Sequence, residues 1–165
     1  MLDHDDVLTL MSVRVPETRP LVAEMYGLGP GEAVPTSGTG LDMYEFLLEI
    51  LTRDVMQPAL EQPEMNQGLL RRCFDFVEEI YDGADAYRAG NVYFTVLECL
   101  LDELRYLENA IPYLHGASRA RVSAMLRTYE VEGHKRGLPP LRCGGSGVGA
   151  GRRGQSVGSG SRPRC

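Results

Sequence analysis

Apolar side chains recur every three or four positions along most of the first 130 residues of the chain. The clearest example is the segment 69–82. Its apolar positions are Leu69, Leu70, Cys73, Phe74, Val77, Ile80 and Tyr81, and its polar positions are Arg71, Arg72, Asp75, Glu78, Glu79 and Asp82. A period near 3.6 residues is typical of an amphipathic helix that packs one face against a core. The pattern therefore predicts a helix over 69–82.

The same period predicts five further helices. They are expected at about 4–14, 20–27, 42–57, 91–109 and 117–131. Pro20 falls in a first helical turn, where proline is tolerated, and Pro58 is expected to break or kink the third helix. The helix over 91–109 has so wide an apolar face that we expect neighbours on more than one side. That face comprises Val92, Tyr93, Val96, Leu97, Leu100, Leu101, Leu104 and Leu107, and the polar strip comprises Thr95, Glu98, Asp102 and Arg105.

No segment alternates strictly between apolar and polar residues, as a half-buried strand would. Gly83, Gly90 and Asn91 lie between the two central predicted helices, and so short a gap predicts an antiparallel helical hairpin. The Gly- and Pro-rich stretch 28–40 predicts a loop. The sequence therefore predicts an all-α domain of about five to six antiparallel helices, arranged as a short α-solenoid or an irregular bundle.

Proline and glycine divide the chain into an all-α domain over 1–138 and a tail over 139–165. Pro139 and Pro140 cannot continue a helix, because proline has no amide hydrogen. Residues 144–165 are rich in glycine, serine and arginine and contain no Leu, Ile, Phe or Met. Such a segment buries too little apolar surface to offset the entropy of ordering, so we expect the tail to be disordered.

Composition is typical of a single intracellular domain. The apolar fraction is 43% and the charged fraction 24%, as in ordinary globular proteins. No apolar run approaches the roughly 20 residues of a membrane span. The acidic start of the chain differs from a secretory signal, which begins with a basic segment. We therefore expect a cytoplasmic protein, and the strong preference for arginine over lysine suggests a GC-rich bacterial genome.

The charge of the chain is unevenly distributed. The formal net charge is −6, but residues 1–132 contain all 23 Asp and Glu and only 10 of the 17 Lys and Arg, a balance of −13. An acidic domain repels nucleic acids and favours basic partners through its long-range field. The basic tail has no interleaved aromatic residues to stack on bases, so we expect only weak tail contacts with nucleic acid.

Carboxylates on the polar faces of the two central helices form the candidate functional surface. A stripe of acidic residues can bind a basic protein surface, accelerate the encounter and fix its register. The alternative is a solvated face that serves only solubility. The candidate partner-binding residues are Asp75, Glu78, Glu79, Asp82, Asp85, Glu98 and Asp102.

The sequence contains no recognisable catalytic or cofactor motif. The three histidines and four cysteines lack the spacing of a metal cage, and no CxxC pair is present. One enzymatic alternative is a Mg²⁺-dependent hydrolase similar to the all-α nucleotide pyrophosphatases, which hold the ion between acidic pairs on two helices. Its ligands would be Glu79, Asp82, Glu98 and Asp102, although the second pair is one residue too widely spaced. We expect no enzyme and no cofactor.

A second alternative is a structural role. If the wide apolar face over 92–107 is not fully covered within one chain, the remainder can pack against a second copy. The chain would then be a homodimer. The sequence leaves monomer and homodimer open.

Two segments together resemble a known type of protein. Residues 72–80 form a Phe-rich helix, and residues 90–101 form a Gly-containing turn followed by an apolar run with a single acidic residue, Glu98. This pattern resembles a family of small bacterial helical-repeat-like proteins of uncharacterised function, which are similar to immunity proteins of bacterial toxin systems. The resemblance covers about 70–130 and implies a partner-binding protein without catalysis. We therefore expect a protein-binding module that neutralises a basic partner.

Overall fold

The computed structural model describes residues 4–29, 32, 42–83 and 85–140. Every regular element in this part is a helix, which confirms the predicted all-α class. The helices are α1 (His4–Arg14), α2 (Thr18–Met25), α3 (43–61), α4 (Gln67–Gly83), α5 (86–101), α6 (104–113) and α7 (Gly116–Thr128). None of them is long and apolar enough to span a membrane. The tail from 141 onward and most of the loop expected at 28–40 lie outside the described residues.

The helices form an irregular bundle around α3 and α4. Helix α3 packs against α1, α2, α4, α5 and α6, and α4 packs against α1, α3, α5, α6 and α7. In a solenoid each repeat contacts only its neighbours in sequence. The described part of the chain is therefore a bundle, and its buried apolar residues form one core.

The central position of α4 buries more of this helix than its pattern predicts. The apolar face over 69–82 packs into the core as expected. Phe76 and Glu78 lie outside that face, and both are nevertheless buried. A central helix has neighbours on several sides, so only a narrow strip of it can remain polar and solvated.

The helix predicted over 91–109 is two helices. Helix α5 ends at Leu101, and the extended backbone of Glu103 (φ −139°, ψ 133°) separates it from α6. Leu104, which the pattern assigns to the apolar face, begins α6 and is 56% exposed. The predicted continuous stripe therefore ends where the chain changes direction.

Only two positions separate the end of α4 at Gly83 from the start of α5 at Ala86. Asp85 caps α5, because its side chain accepts a 2.9 Å hydrogen bond from the Arg88 amide. Gly90 and Asn91, which the sequence places in the turn, therefore lie within α5.

Two helices contain π-helical segments, Phe46–Met56 in α3 and Tyr93–Leu97 in α5. Such wide turns are uncommon and displace side chains from a 3.6-residue period. The segments pack against each other, and the Thr52 hydroxyl donates a 2.7 Å hydrogen bond to the Thr95 carbonyl oxygen. The Thr95 hydroxyl donates in turn to the Asn91 carbonyl oxygen. Thr95, which the period assigns to the polar strip, is therefore fully buried.

Pro58 does not end α3. The helix continues to Glu61, and Pro58 lies in the first turn of the α-helical segment Gln57–Glu61 that follows the π-helical one. Pro58 therefore lies where the π-helical hydrogen-bond pattern changes to the α-helical one. The expected break at this residue is therefore wrong, and a kink there stays a prediction.

Candidate protein-binding surface

Glu78 is a structural residue. Its side chain accepts hydrogen bonds from the amides of Ala117 and Ser118, both 2.8 Å long. These amides belong to the first turn of α7, where unpaired N–H groups and the helix dipole favour a negative charge. The prediction that Glu78 lies on a partner-binding face is wrong, because this residue is 9% exposed and joins α7 to α4.

Two neighbouring acids on α4 stay at the surface but also have partners within the chain. The His115 ring nitrogen Nε2 lies 3.0 Å from Asp75 Oδ1. Arg14 donates two hydrogen bonds to Glu79, of 2.7 and 2.9 Å. These hydrogen bonds lower the pKa of Glu79 from its ordinary value. Asp75 and Glu79 therefore connect α4 to the start of α7 and to the end of α1.

The predicted acidic residues on and beside α5 lie far apart. Asp85 caps the first turn, whereas Glu98 lies in the last turn and accepts a 2.7 Å hydrogen bond from the Tyr129 hydroxyl. Asp102 follows the helix and accepts a 2.9 Å hydrogen bond from the side-chain amide of Gln57. At 1.5 Å per residue, the two ends of α5 are separated by roughly 20 Å. The acidic residues therefore do not form one compact patch.

The four carboxylates of the alternative metal site are not brought together. Glu79 is bound by Arg14 and Glu98 by Tyr129. Within the described ranges, no group of three or more His, Cys, Asp or Glu residues is arranged to hold a metal ion. The geometry of Glu79, Asp82, Glu98 and Asp102 therefore gives no support to a metal-dependent hydrolase.

The described cysteines are not activated nucleophiles. Burial raises the pKa of Cys73 to about 12 and the pKa of Cys99 to about 11. A cysteine reacts as its thiolate, which a lowered pKa would favour. Both side chains are therefore held as thiols at neutral pH.

Exposed aromatic side chains form a second candidate surface, which the sequence pattern does not predict. Tyr87 is 70% exposed, Phe94 53% and Tyr129 48%. The rings of Tyr93 and Phe94 meet edge to face with their centroids 5.2 Å apart. We call Tyr87, Tyr93, Phe94 and Tyr129 the aromatic surface.

Contacts within the chain link three residues of the aromatic surface, Tyr93, Phe94 and Tyr129. Tyr87 and Phe94 both lie on α5, seven residues apart. Hydrogen bonds to Glu98 and then to Tyr93 raise the pKa of Tyr129 above its ordinary value. These bonds connect Tyr129, which follows α7, to the aromatic residues of α5.

A groove lies beside the aromatic surface, between the first half of α5 and α7. It is lined by Ala86, Ala89, Gly90, Tyr93 and Arg121, and its volume is about 350 Å³. A Cβ atom added at Gly90 would meet no atom within 4 Å, so the space above the α5 backbone is open. Arg121 makes no hydrogen bond or ion pair with the described part of the chain. We call these five residues the Gly90 groove.

The aromatic surface has the composition of a protein interface. Tyrosine and phenylalanine are enriched at interface centres, and tyrosine offers a large contact area with only two side-chain torsions to fix. Isolated exposed apolar residues are ordinary, whereas a continuous group of them marks an interaction site. Comparison with known proteins finds no match to a family model, to a curated protein or to a solved structure.

Proposed function

We propose that this chain is a non-enzymatic protein-binding module that contacts its partner through the aromatic surface. The observation that supports the proposal is the exposure of Tyr87, Phe94 and Tyr129, of which Phe94 and Tyr129 both contact Tyr93. Removing apolar surface from water contributes about 25 cal/mol per Å². Aromatic rings that are exposed in the free protein can therefore act as anchors when a partner covers them.

The partner in this proposal presents basic and apolar groups. Asp85 precedes Tyr87 at one end of α5, and Glu98 lies beside Tyr129 at the other end. Residues 1–132 carry a formal net charge of −13. Complementary charge accelerates association and fixes its register. The aromatic rings that the partner covers provide most of the affinity. An immunity-like protein that neutralises a basic toxin is the specific form that the family resemblance implies.

Replacing Phe94 with serine should reduce partner capture, and replacing Met65 with serine should not. Both changes remove an exposed apolar side chain, 53% and 81% exposed respectively, so neither removes core packing. Loss of an aromatic anchor typically costs about 2 kcal/mol, which corresponds to roughly 30-fold weaker binding. The tagged full chain and both variants would be incubated with a lysate of the source organism, and bound proteins quantified by mass spectrometry.

Thermal unfolding would first confirm that the two variants are equally folded. A basic protein recovered with the unchanged chain and Met65→Ser, but depleted with Phe94→Ser, would support the aromatic surface. Equal recovery with all three chains would contradict it.

A further inference from the structure

A second groove lies between α2, α3 and the start of α4, and we call it the α2–α3 groove. It has an apolar floor, a rim of oxygen-bearing side chains and no Lys or Arg in its lining. We propose that this groove binds a lysine side chain of a basic partner protein, with the alkyl chain on the floor and the ammonium group at the rim. The inference goes beyond the proposed function, because the groove shares no residue with the aromatic surface.

The floor of the α2–α3 groove fits an alkyl chain. Val55 and Ala59 are buried, whereas Leu21 and Leu69 are partly exposed and leave apolar surface open to solvent. Lysine side chains often lay their methylene groups along such a surface and keep the charged end in water. The volume is about 320 Å³, near the lower limit for small-molecule pockets, so the groove suits one side chain. The floor consists of Pro20, Leu21, Val55, Pro58, Ala59 and Leu69.

The rim provides oxygen atoms that have no partner in the described part of the chain. Asp54 is an exposed carboxylate without a hydrogen bond or ion pair there. Glu17 binds Arg72 through one carboxylate oxygen, which leaves the second oxygen unbound. Asn66 donates its side-chain amide to the Gln62 backbone carbonyl oxygen, so the side-chain oxygens of Asn66 and Gln62 are also without a described donor. The rim therefore has acceptors ready for a ligand that donates.

Charge complementarity selects a cation as that ligand. Two carboxylates line the groove without a basic residue beside them, and residues 1–132 carry a formal net charge of −13. A negative field of this kind concentrates cations at the surface. The occupant therefore combines a positive charge with an apolar stem.

The distribution of the acceptors favours lysine over arginine. An ammonium group is a compact charge with three donors, whereas a guanidinium is a planar fork that suits a single carboxylate. The acceptors at this rim belong to four different side chains, which matches the ammonium group. Residues 141–165 of the chain contain five arginines and no lysine, so we assign the groove to a partner and not to the chain's own tail.

Titration of the full chain with three short peptides tests this assignment. The probes are acetyl-Gly-X-Gly-amide peptides in which X is lysine, arginine or norleucine, a neutral analogue with a similar alkyl chain. The NMR methyl signals of Leu21, Val55 and Leu69 report on the floor. We expect the lysine peptide to shift these signals with a dissociation constant on the order of 1 mM, and the other two peptides to bind at least about fivefold more weakly.

Asp54→Asn tests the role of the rim, because it keeps the shape of the side chain and removes its charge. It should weaken binding of the lysine peptide by about fivefold, a change of ~1 kcal/mol. Asp82→Asn is the matched control, since Asp82 is an exposed carboxylate without a partner in the described part and does not line the groove. It should leave the dissociation constant unchanged.

Several results would overturn the inference. Equal binding of the norleucine peptide would make the groove a purely apolar site, and equal binding of the arginine peptide would mean that charge alone decides. Absence of methyl shifts, or equal effects of Asp54→Asn and Asp82→Asn, would also contradict it. If Asp54→Asn shifts arginine side-chain signals of the tail when no peptide is present, the chain's own tail occupies the groove and the inference fails. None of these measurements involves Phe94, so capture through the aromatic surface is tested separately.

Discussion

Replacing Glu78 with alanine should lower the free energy of unfolding by about 3 kcal/mol. Glu78 accepts two backbone hydrogen bonds of 2.8 Å at the first turn of α7 and is almost fully buried. Hydrogen bonds to a charged group contribute about 1.5 to 3 kcal/mol each. In the variant, water can hydrate part of the first turn that has lost the carboxylate. We therefore expect the lower end of the summed contribution of the two hydrogen bonds, about 3 kcal/mol.

Equilibrium urea unfolding, followed by circular dichroism, would measure this loss. Glu79→Ala is a matched control, because the adjacent residue is the same type and its ion pair with Arg14 is exposed. Exposed ion pairs contribute little to stability, so we expect less than a third of the Glu78 effect. Equal losses for the two variants would mean that Glu78 does not hold α7 in the way described.

Replacing Gly116 with alanine should also lower the free energy of unfolding by about 3 kcal/mol. Gly116 has φ +42°, and a left-handed backbone costs an alanine roughly 1 to 2 kcal/mol. The new Cβ would lie 2.5 Å from Glu78 Oε2, so the carboxylate must move away from the amides that it binds. Backbone strain and loss of hydrogen bonds therefore act together.

The two changes should not be additive. When Glu78 is already alanine, the Cβ at position 116 no longer meets a carboxylate, and only the backbone strain remains. The double variant should therefore lose roughly 1 to 2 kcal/mol less than the sum of the single losses. A complete double-mutant cycle by urea unfolding measures this difference, and strict additivity would exclude direct contact between the two residues.

Periodicity was sufficient to predict the helical class and most helix positions. Helices α1, α2, α4 and α7 begin and end within three residues of the predicted bounds. Periodicity did not predict that Glu78 is buried, because this residue binds amides 39 and 40 positions later in the chain. A pattern of faces within one helix contains no information about which distant helix terminus lies against that face.

The sequence pattern does not predict the aromatic surface, for a related reason. A strict 3.6-residue period assigns Tyr93 to the core face and leaves Phe94 unassigned. The π-helical turn Tyr93–Leu97 changes the direction of these side chains, and the end of α5 at Leu101 interrupts the stripe. Such departures depend on packing against α3, so the sequence of α5 alone does not specify them.

The composition shows that the domain is acidic, but it does not show which carboxylates are bound within the chain. Arg14, His115 and Tyr129 bind three of the predicted partner-binding carboxylates. Each of these contacts joins residues more than 30 positions apart in the chain. The count of acidic residues predicts the sign of the long-range field, while tertiary contacts decide which carboxylates remain available to a partner.

Photo-crosslinking in the source organism tests the central claim, binding through the aromatic surface, most directly. A photoreactive phenylalanine analogue would replace Phe94 in one chain and Met65 in a second, and adducts would be identified by mass spectrometry. We predict adducts with another protein at position 94 and none of that protein at position 65. Absence of such adducts at position 94, or the same adducts at both positions, would contradict the proposed binding surface.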